Sequence, residues 1–291
     1  MAMRGKSGRI AGPIGRGIGF LVGAPWLLAL VWPMALIVLG VICWERYGVI
    51  RAAEAFVSIS PDQVTLPPRP AIIRTDVTEA VFRETGLESV SLMDPAATAK
   101  IASAFSMNPW VEDVTSVRKL PGGGVDVRLQ YRRVAAMVKV SKPGRSRGSS
   151  AVPHFFPVDR DGVMLPSQDF SAAQTMDYIH VDVPGVYSTS LEGTPFGEPR
   201  VEAAASLAWL LHPVRESLGI ASIEVYGDNR RSITPQFEII TDDGQRIFWG
   251  SPPGREPAGE SDAATKLRWL VSPERGDRTD LRWAGRPGSR R

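Results

Sequence analysis

The sequence predicts an α+β protein in which a single N-terminal transmembrane helix precedes two folded regions. Three observations support this fold class: a long uncharged segment near the start, two helical patterns followed by alternating strands, and a C-terminal half rich in short strands. At 291 residues, the chain is long enough for about two domains. Its hydrophobic fraction of 43% and charged fraction of 22% are typical of folded proteins, so extensive disorder is excluded.

The predicted transmembrane helix spans residues 17–44, which are 28 consecutive uncharged residues. At ~1.5 Å per residue, a helix of this length reaches about 42 Å, which exceeds the ~30 Å hydrocarbon core of a bilayer. The preceding segment, 1–16, carries four basic residues and no acidic ones, whereas the charges directly after the helix cancel. The positive-inside rule therefore predicts a single-pass protein of the cytoplasmic (inner) membrane, with a cytoplasmic tail at 1–16 and an extracytoplasmic body.

A cleaved signal peptide is the alternative, because Ala53-Glu54-Ala55 has the small-x-small form of a cleavage site. The apolar region of a signal peptide is only ~7–15 residues long, however, and charged residues separate the apolar segment from that site. A retained anchor is therefore the prediction.

The first folded region is predicted over residues 71–141, after a connector at 45–70. The four prolines at 61–70 exclude a helix there, so that stretch is interpreted as an extended connector or an edge strand. Apolar residues at helical spacing, followed by Gly86 as a stop, predict a first helix. Asp94 and Pro95 predict the start of a second helix, as N-cap and first helical residue. The region should therefore begin with a helical pair.

Strands are predicted after the second helix. Apolar and polar residues alternate over 125–131 with the period of a half-buried strand, and weaker patterns predict strands at 111–117 and 136–140. The glycines at 122–124 predict a hairpin, because a phosphate-binding loop would need a helix after it and a strand follows instead. A linker rich in glycine and serine is predicted at 142–153.

The second folded region, 154–285, is predicted to be a mixed α/β domain with an antiparallel sheet, followed by a flexible tail at 286–291. Near its start, Asp159-x-Asp161-Gly162 is interpreted as a tight turn, because the other ligands of a calcium-binding loop are absent. Helices and hairpins then alternate up to the last predicted strand.

This last strand, at residues 279–283, is expected to lie at the edge of the sheet. Apolar and polar residues alternate along it, and only a polar tail follows, so nothing later in the sequence is available to cover it. An uncovered strand offers unpaired N–H and C=O groups to a partner strand. The N–H of Arg282 is expected to be one of them if it faces outward.

Several functional classes are excluded or disfavoured by composition. Cys43 is the only cysteine, so neither an intramolecular disulfide nor a multi-cysteine metal site can form, and the three histidines are not at metal-ligand spacing. No catalytic motif occurs, so neither an enzyme nor a bound cofactor, metal or small-molecule substrate is expected. Outside the N-terminal tail the chain has 30 basic and 31 acidic residues, which provides no nucleic-acid footprint.

Short motifs along the chain have a specific order. They are Pro109-Trp110-Val111, Arg118-Lys119-Leu120-Pro121, Phe156-Pro157-Val158-Asp159 with Asp161-Gly162-Val163, and Asp280-Leu281-Arg282-Trp283. Together with the basic tail, the anchor and the helical pair, this order resembles the FtsQ/DivIB family of cell-division proteins. The resemblance implies that the first region is a POTRA domain and the second the family's β-domain.

The resemblance further implies a non-enzymatic scaffold that binds other division proteins outside the cytoplasm, at the division septum. The POTRA-like domain would help to recruit it, and the β-domain would bind coiled-coil proteins of the FtsB/FtsL type. The implied partner-binding residues are Arg230, Arg231, Leu281, Arg282 and Trp283. Two alternatives stay open: Arg230 and Arg231 could lie in a solvated turn, and Trp283 could pack inward. A POTRA-bearing adaptor in protein export or envelope assembly is the alternative function. Trp110 is expected to be a core residue.

Overall fold

The computed structural model describes residues 25–48, 58–141, 153–187, 190–226, 234–273 and 279–285, which belong to two compact units, Met1–Ser58 and Ile59–Arg291. In the first unit, helix α1 spans Pro25–Cys43 and is followed by a π-helical turn at Trp44–Gly48. Among the described residues, no helix has both the length and the apolar character needed to span a membrane. The transmembrane assignment of 17–44 begins outside the described residues and stays a prediction.

The second unit begins with a three-stranded sheet of order β1-β3-β2 and two helices. Strand β1 (Val64–Thr65) is parallel to β3 (Val125–Tyr131), and β2 (Val111–Lys119) is antiparallel to β3. Helices α2 (Val77–Thr85) and α3 (Ala97–Ser106) lie between β1 and β2 in the chain. The predicted helical pair and hairpin are therefore confirmed, and β1, at the edge of this sheet, confirms the edge-strand interpretation of the proline-rich stretch. The predicted start of the second helix is corrected: it begins at Ala97 with Ala96 as N-cap, and not at Pro95 with Asp94 as N-cap.

Local sequence signals explain where the first helix begins and ends. The Asp76 carboxylate accepts hydrogen bonds from the N–H groups of Thr78 and Glu79, at 2.9 and 3.1 Å, which satisfies two donors that the first turn leaves free. Gly86 then adopts the left-handed conformation, with φ of 64°, and ends the helix as predicted. Both helices bury an apolar face, which consists of Val77, Ala80, Val81, Phe82, Ile101, Ala104 and Phe105.

A six-stranded mixed sheet forms the rest of the unit, in the order β5-β4-β6-β7-β8-β9. Its strands are β4 (Ala136–Ser141), β5 (Pro153–Val158), β6 (His180–Asp182), β7 (Ile220–Val225), β8 (Phe237–Thr241) and β9 (Arg246–Gly250). The β4–β6 and β6–β7 pairs are parallel, whereas the others are antiparallel. The α+β class is confirmed, but the prediction of an antiparallel sheet is corrected to a mixed one. Strand β6 runs parallel to β4 because β5 runs back between them in the chain, and a helical crossover between β6 and β7 makes that pair parallel.

Among the described residues, four α-helices accompany this sheet. They are α4 (Ala172–Thr175), α5 (Pro199–Leu211), α6 (Arg215–Leu218) and α7 (Ala263–Val271). The buried face of α5 contains four alanines, whose small side chains let the helix approach the sheet closely. The core between helices and sheet includes Leu207, Phe237 and Trp249.

Strand β4 differs from its predicted place. The alternating pattern at 136–140 predicts a strand of the first region, yet this strand pairs with β5 and β6 of the larger sheet. Its consecutive buried residues explain the difference, because a strand buried on both faces belongs in the middle of a large sheet. The sheets thus divide at residues 132–135. Of the predicted linker 142–153, only Pro153 is among the described residues, and it begins β5.

Two buried carboxylates join the sheets. Asp169, after β5, accepts hydrogen bonds from Trp110 Nε1 at 2.7 Å and from the N–H and hydroxyl of Thr75 at 3.1 and 2.8 Å. Asp159 lies 2.5 Å from a guanidinium nitrogen of Arg132, which directly follows β3. Trp110 is 2% exposed, so its prediction as a core residue is confirmed.

Candidate functional site

Residues 279–285, called the C-terminal segment below, lie at the edge of the larger sheet, beside β9. The N–H of Phe248 donates to the carbonyl of Thr279 at 2.5 Å, and the N–H of Leu281 donates to the carbonyl of Phe248 at 2.9 Å. These bonds form one parallel bridge, between Phe248 and Asp280. The predicted strand at 279–283 is therefore shorter than expected, and it is parallel to its neighbour.

The strand stops because Asp280 offers the backbone an alternative partner. Its carboxylate Oδ1 accepts the N–H of Arg282 at 3.0 Å, a local turn that competes with strand pairing. The N–H of Ala284 then donates to the carbonyl of Leu281 at 3.1 Å, so residues 282–285 form a turn. The alternation of side chains expected along a strand is consequently lost after Leu281.

The three predicted residues of this segment have different environments. Leu281 is fully buried in the core, so its predicted role in partner binding is corrected: its side chain anchors the edge segment and is not accessible to a partner. Trp283 is 41% exposed, so it does not pack inward, and Arg282 is half-buried beside it. Arg282 and Trp283 are thus brought together on the surface.

An open groove of about 470 Å³ lies next to these two residues. Tyr226 at the end of β7 is 51% exposed, and its ring meets the ring of Phe248 edge to face, with centroids 4.5 Å apart. The guanidinium carbon of Arg282 lies 4.3 Å from the centroid of Phe248 and 5.9 Å from that of Trp283. The remaining lining residues are Gln236, Pro257, Ala258 and Glu260.

Arg282 carries the positive charge of the groove. Its Nη2 donates to Asp280 Oδ2 at 2.8 Å and its Nε to Asp280 Oδ1 at 3.2 Å. This hydrogen bonding to Asp280 raises the pKa of the Arg282 guanidinium further above its ordinary value, so the side chain stays charged at any physiological pH. The same Asp280 therefore orients a permanent cation along the aromatic surface.

The main-chain N–H and C=O of Arg282 already form hydrogen bonds within the chain. Its N–H donates to Asp280 and its carbonyl accepts the N–H of Ser261 at 2.8 Å, so the expectation that this N–H is offered to a partner is corrected. Within the part of the chain that the structure describes, the backbone N–H and C=O of Asp280 form no hydrogen bond. Asp280 is thus the residue of this segment at which a partner strand could pair.

Sequence reasoning missed Tyr226 and Phe248. Phe248 could have been identified from the alternation of side chains along β9. Its neighbours Ile247 and Trp249 are buried, so the side chain of Phe248 must point to the opposite face of the sheet. Tyr226 is placed beside it only by the pairing of β7, β8 and β9. The predicted pair Arg230 and Arg231 lies outside the described residues.

A charged ladder lies on the same sheet face as Tyr226 and Phe248. Arg246 reaches Glu224 of β7 at 2.5 Å and Glu238 of β8 at 3.1 Å. The hydrogen bond to Glu224 raises the pKa of Arg246, so this cation is also permanent. The ladder thus places charged groups of both signs on the sheet face that carries the two aromatic rings, which favours binding of an electrostatically complementary partner.

The other candidate motif has a structural role. Asp159 Oδ1 accepts the N–H groups of Asp161 and Val163 at 2.9 and 2.8 Å, which confirms the tight turn. Its Oδ2 pairs with Arg132, so both carboxylate oxygens have structural partners. Among the described residues, no cluster of three histidine, cysteine or acidic side chains could hold a metal ion. In comparisons with known proteins, no family model matches the chain and no curated protein matches it significantly.

Proposed function

We propose that this chain is a membrane-anchored, non-enzymatic scaffold of the bacterial cell-division machinery, similar to the FtsQ/DivIB family. It would be a single-pass protein of the cytoplasmic (inner) membrane, with its body outside the cytoplasm at the division septum. The uncharged segment 17–44 and its basic flank support the anchor. The βααββ order of the first sheet and its helices is compatible with the POTRA-like domain that the resemblance implies.

The observation that carries the proposal is the groove formed by Tyr226, Phe248, Arg282 and Trp283. Aromatic residues and arginine are the side chains most enriched at the energetic centres of protein interfaces. The groove borders an edge of the sheet, where an extended partner segment can add as a further strand. Its exposed rings and fixed charge suit a protein partner better than a small polar substrate.

The proposed partners are coiled-coil division proteins of the FtsB/FtsL type, with other divisome membrane proteins recruited through the POTRA-like domain. A partner strand would pair at the backbone N–H and C=O of Asp280, which form no hydrogen bond to the described residues, and would place apolar side chains on Phe248 and Trp283. Arg282 is 37% exposed at its side chain, so a partner carboxylate could approach it beside Asp280. Neither a nucleic acid nor a small molecule is part of this proposal.

The first test is capture of coexpressed FtsB/FtsL-type proteins by the full-length tagged chain from solubilised membranes. Trp283→Ala should weaken capture by about 2 kcal/mol, roughly thirtyfold in Kd, if Trp283 is a hot spot. Met93→Ala is the matched control, because Met93 is also an exposed apolar side chain but lies in the first half of the unit. Equal capture by both variants would place the binding surface elsewhere.

The location of the protein in the cell distinguishes the division scaffold from the alternative adaptor. A fluorescent fusion of the full chain should form a band at the division plane. A uniform signal around the envelope would instead favour the adaptor in protein export or envelope assembly.

A further inference from the structure

A buried ion pair lies beneath the groove. Lys266 of α7 is 0% exposed, and its Nζ lies 2.5 Å from Glu260 Oε1. The same Nζ donates to the carbonyl of Ser251 at 3.3 Å and lies 5.2 Å from the ring centroid of Trp249. An ammonium group is costly to bury unless it is paired and hydrogen-bonded, so Lys266 strongly restricts where Glu260 can sit.

The Glu260 carboxylate is also held from the end of β9. The N–H of Ser251 donates to Oε1 and the hydroxyl of Ser251 donates to Oε2, both at 2.8 Å. The Ser251 hydroxyl in turn accepts Gln236 Nε2 at 2.8 Å, and Gln236 lines the groove. With donors on both oxygens, Glu260 is fixed in one orientation.

Ser261, the residue after Glu260, connects the fixed Glu260 to the turn at residues 282–285. The N–H of Ser261 donates to the carbonyl of Arg282, and its hydroxyl donates to the carbonyl of Ala284, both at 2.8 Å. Ser261 therefore holds the residues on either side of Trp283. The indole that lines the groove is displayed by a turn whose two flanks are tied to one serine.

Gly250, the last residue of β9, shows how closely these parts meet. Its φ of +90° favours glycine, and a Cβ there would overlap Glu260 Oε1 and come 2.6 Å from Arg282 Cγ. The aliphatic part of Arg282 and the carboxylate of Glu260 therefore both pack directly against the backbone of Gly250.

We propose that Lys266, Glu260 and Ser261 form a positioning clamp that fixes the turn and presents Arg282 and Trp283 to the partner. This inference rests on the proposed partner groove. A buried ion pair often stabilises a fold no more than apolar residues of similar volume do, so the gain from this pair lies in geometry. A turn held in place before binding loses less conformational freedom when the partner arrives.

Ser261→Ala in the full-length chain tests the contact between Ser261 and the turn. The change removes the hydroxyl that donates to Ala284 O and leaves the Lys266–Glu260 ion pair intact. Without any partner, hydrogen–deuterium exchange of residues 279–285 should become about five- to tenfold faster, the effect of losing one hydrogen bond. Ser206→Ala is the matched control, because its hydroxyl makes a similar bond, to Ala203 O at 2.8 Å, on α5. Ser261→Thr keeps the hydroxyl and should restore slow exchange.

A second variant, Lys266→Met, removes the ion pair with Glu260 and should also accelerate hydrogen–deuterium exchange at residues 279–285. Unchanged exchange in both Ser261→Ala and Lys266→Met would overturn the clamp. Faster exchange together with weaker capture of coexpressed FtsB/FtsL-type proteins supports the whole inference. Faster exchange with undiminished capture would show that the turn is clamped but would overturn the groove as the partner site, and with it the clamp's role in binding.

Discussion

The buried indole of Trp110 shows how a single polar atom joins the two sheets. Its Nε1 donates to Asp169, which is itself buried. Trp110→Phe keeps most of the apolar volume but leaves this carboxylate without one of its donors. We expect the free energy of unfolding to fall by about 1–3 kcal/mol, measured by chemical denaturation of the chain from residue 59 onward.

Trp249→Phe is the control for this change. Trp249 is also fully buried, but its Nε1 has no hydrogen-bond partner in the described part of the chain. The replacement removes an unsatisfied donor and should therefore cost less than Trp110→Phe. Equal losses for the two variants would mean that ring volume, and not the bond to Asp169, explains the effect.

Sequence reasoning reached some residues of these sites and not others. The core position of Trp110 could be predicted, because it stands beside Pro109 where the helix meets the sheet. Its partner Asp169 could not, since the two are 59 residues apart and nothing local marks Asp169 as an acceptor. The groove is similar: Arg282 and Trp283 share one motif, whereas Tyr226 and Phe248 join them only through strand pairing.

Among the elements, helix α7 depends on its N-cap. The N–H of Thr265 donates to Asp262 at 2.7 Å, and this bond, with one from the Thr265 hydroxyl, lowers the pKa of Asp262. A carboxylate whose pKa is lowered by folding stabilises the fold above its unfolded pKa of ~3.9, and this contribution is lost as the pH falls through the folded value. Asp262→Ala should therefore lower Tm at pH 7, and the difference in Tm from the wild type should narrow below about pH 4.

Glu88→Ala provides the comparison for this pH profile. Glu88 is an exposed acid at a helical turn, and it forms no hydrogen bond or ion pair among the described residues. Its variant should follow the wild-type Tm across the whole pH range. A Tm difference for Asp262→Ala that persists unchanged into acid would show that the charged cap is not the cause.

Elements were predictable where their signals are local. Helix α2 was found within a short distance of its true ends because its stop, Gly86, follows it directly. Strand β4 was found as a strand but assigned to the wrong sheet, because alternation does not say which neighbour a strand pairs with. Strand β1 has only two residues, too few for a periodic pattern.

At the scale of the whole molecule, the residues from Ile59 onward belong to one compact unit that contains both sheets. The connection at 132–135 is hydrogen-bonded at both ends: the N–H of Arg132 donates to Trp110 O, and the N–H of Ala135 donates to Val158 O, both at 2.8 Å. The buried bonds of Asp169 and Asp159 add side-chain links between the same two sheets. Such coupling should make the two sheets unfold together.

We therefore expect one calorimetric transition for the chain from residue 59 onward, with calorimetric and van't Hoff enthalpies that agree. Asp169→Ala removes the acceptor shared by Trp110 and Thr75, so it should weaken the coupling and broaden or split the transition. Asp182→Ala is the control, because its ion pair with Lys139 lies within the larger sheet and joins nothing across the junction. Two transitions in the unmodified chain would show that the sheets are independent domains, and that the buried bonds between them do not couple their unfolding.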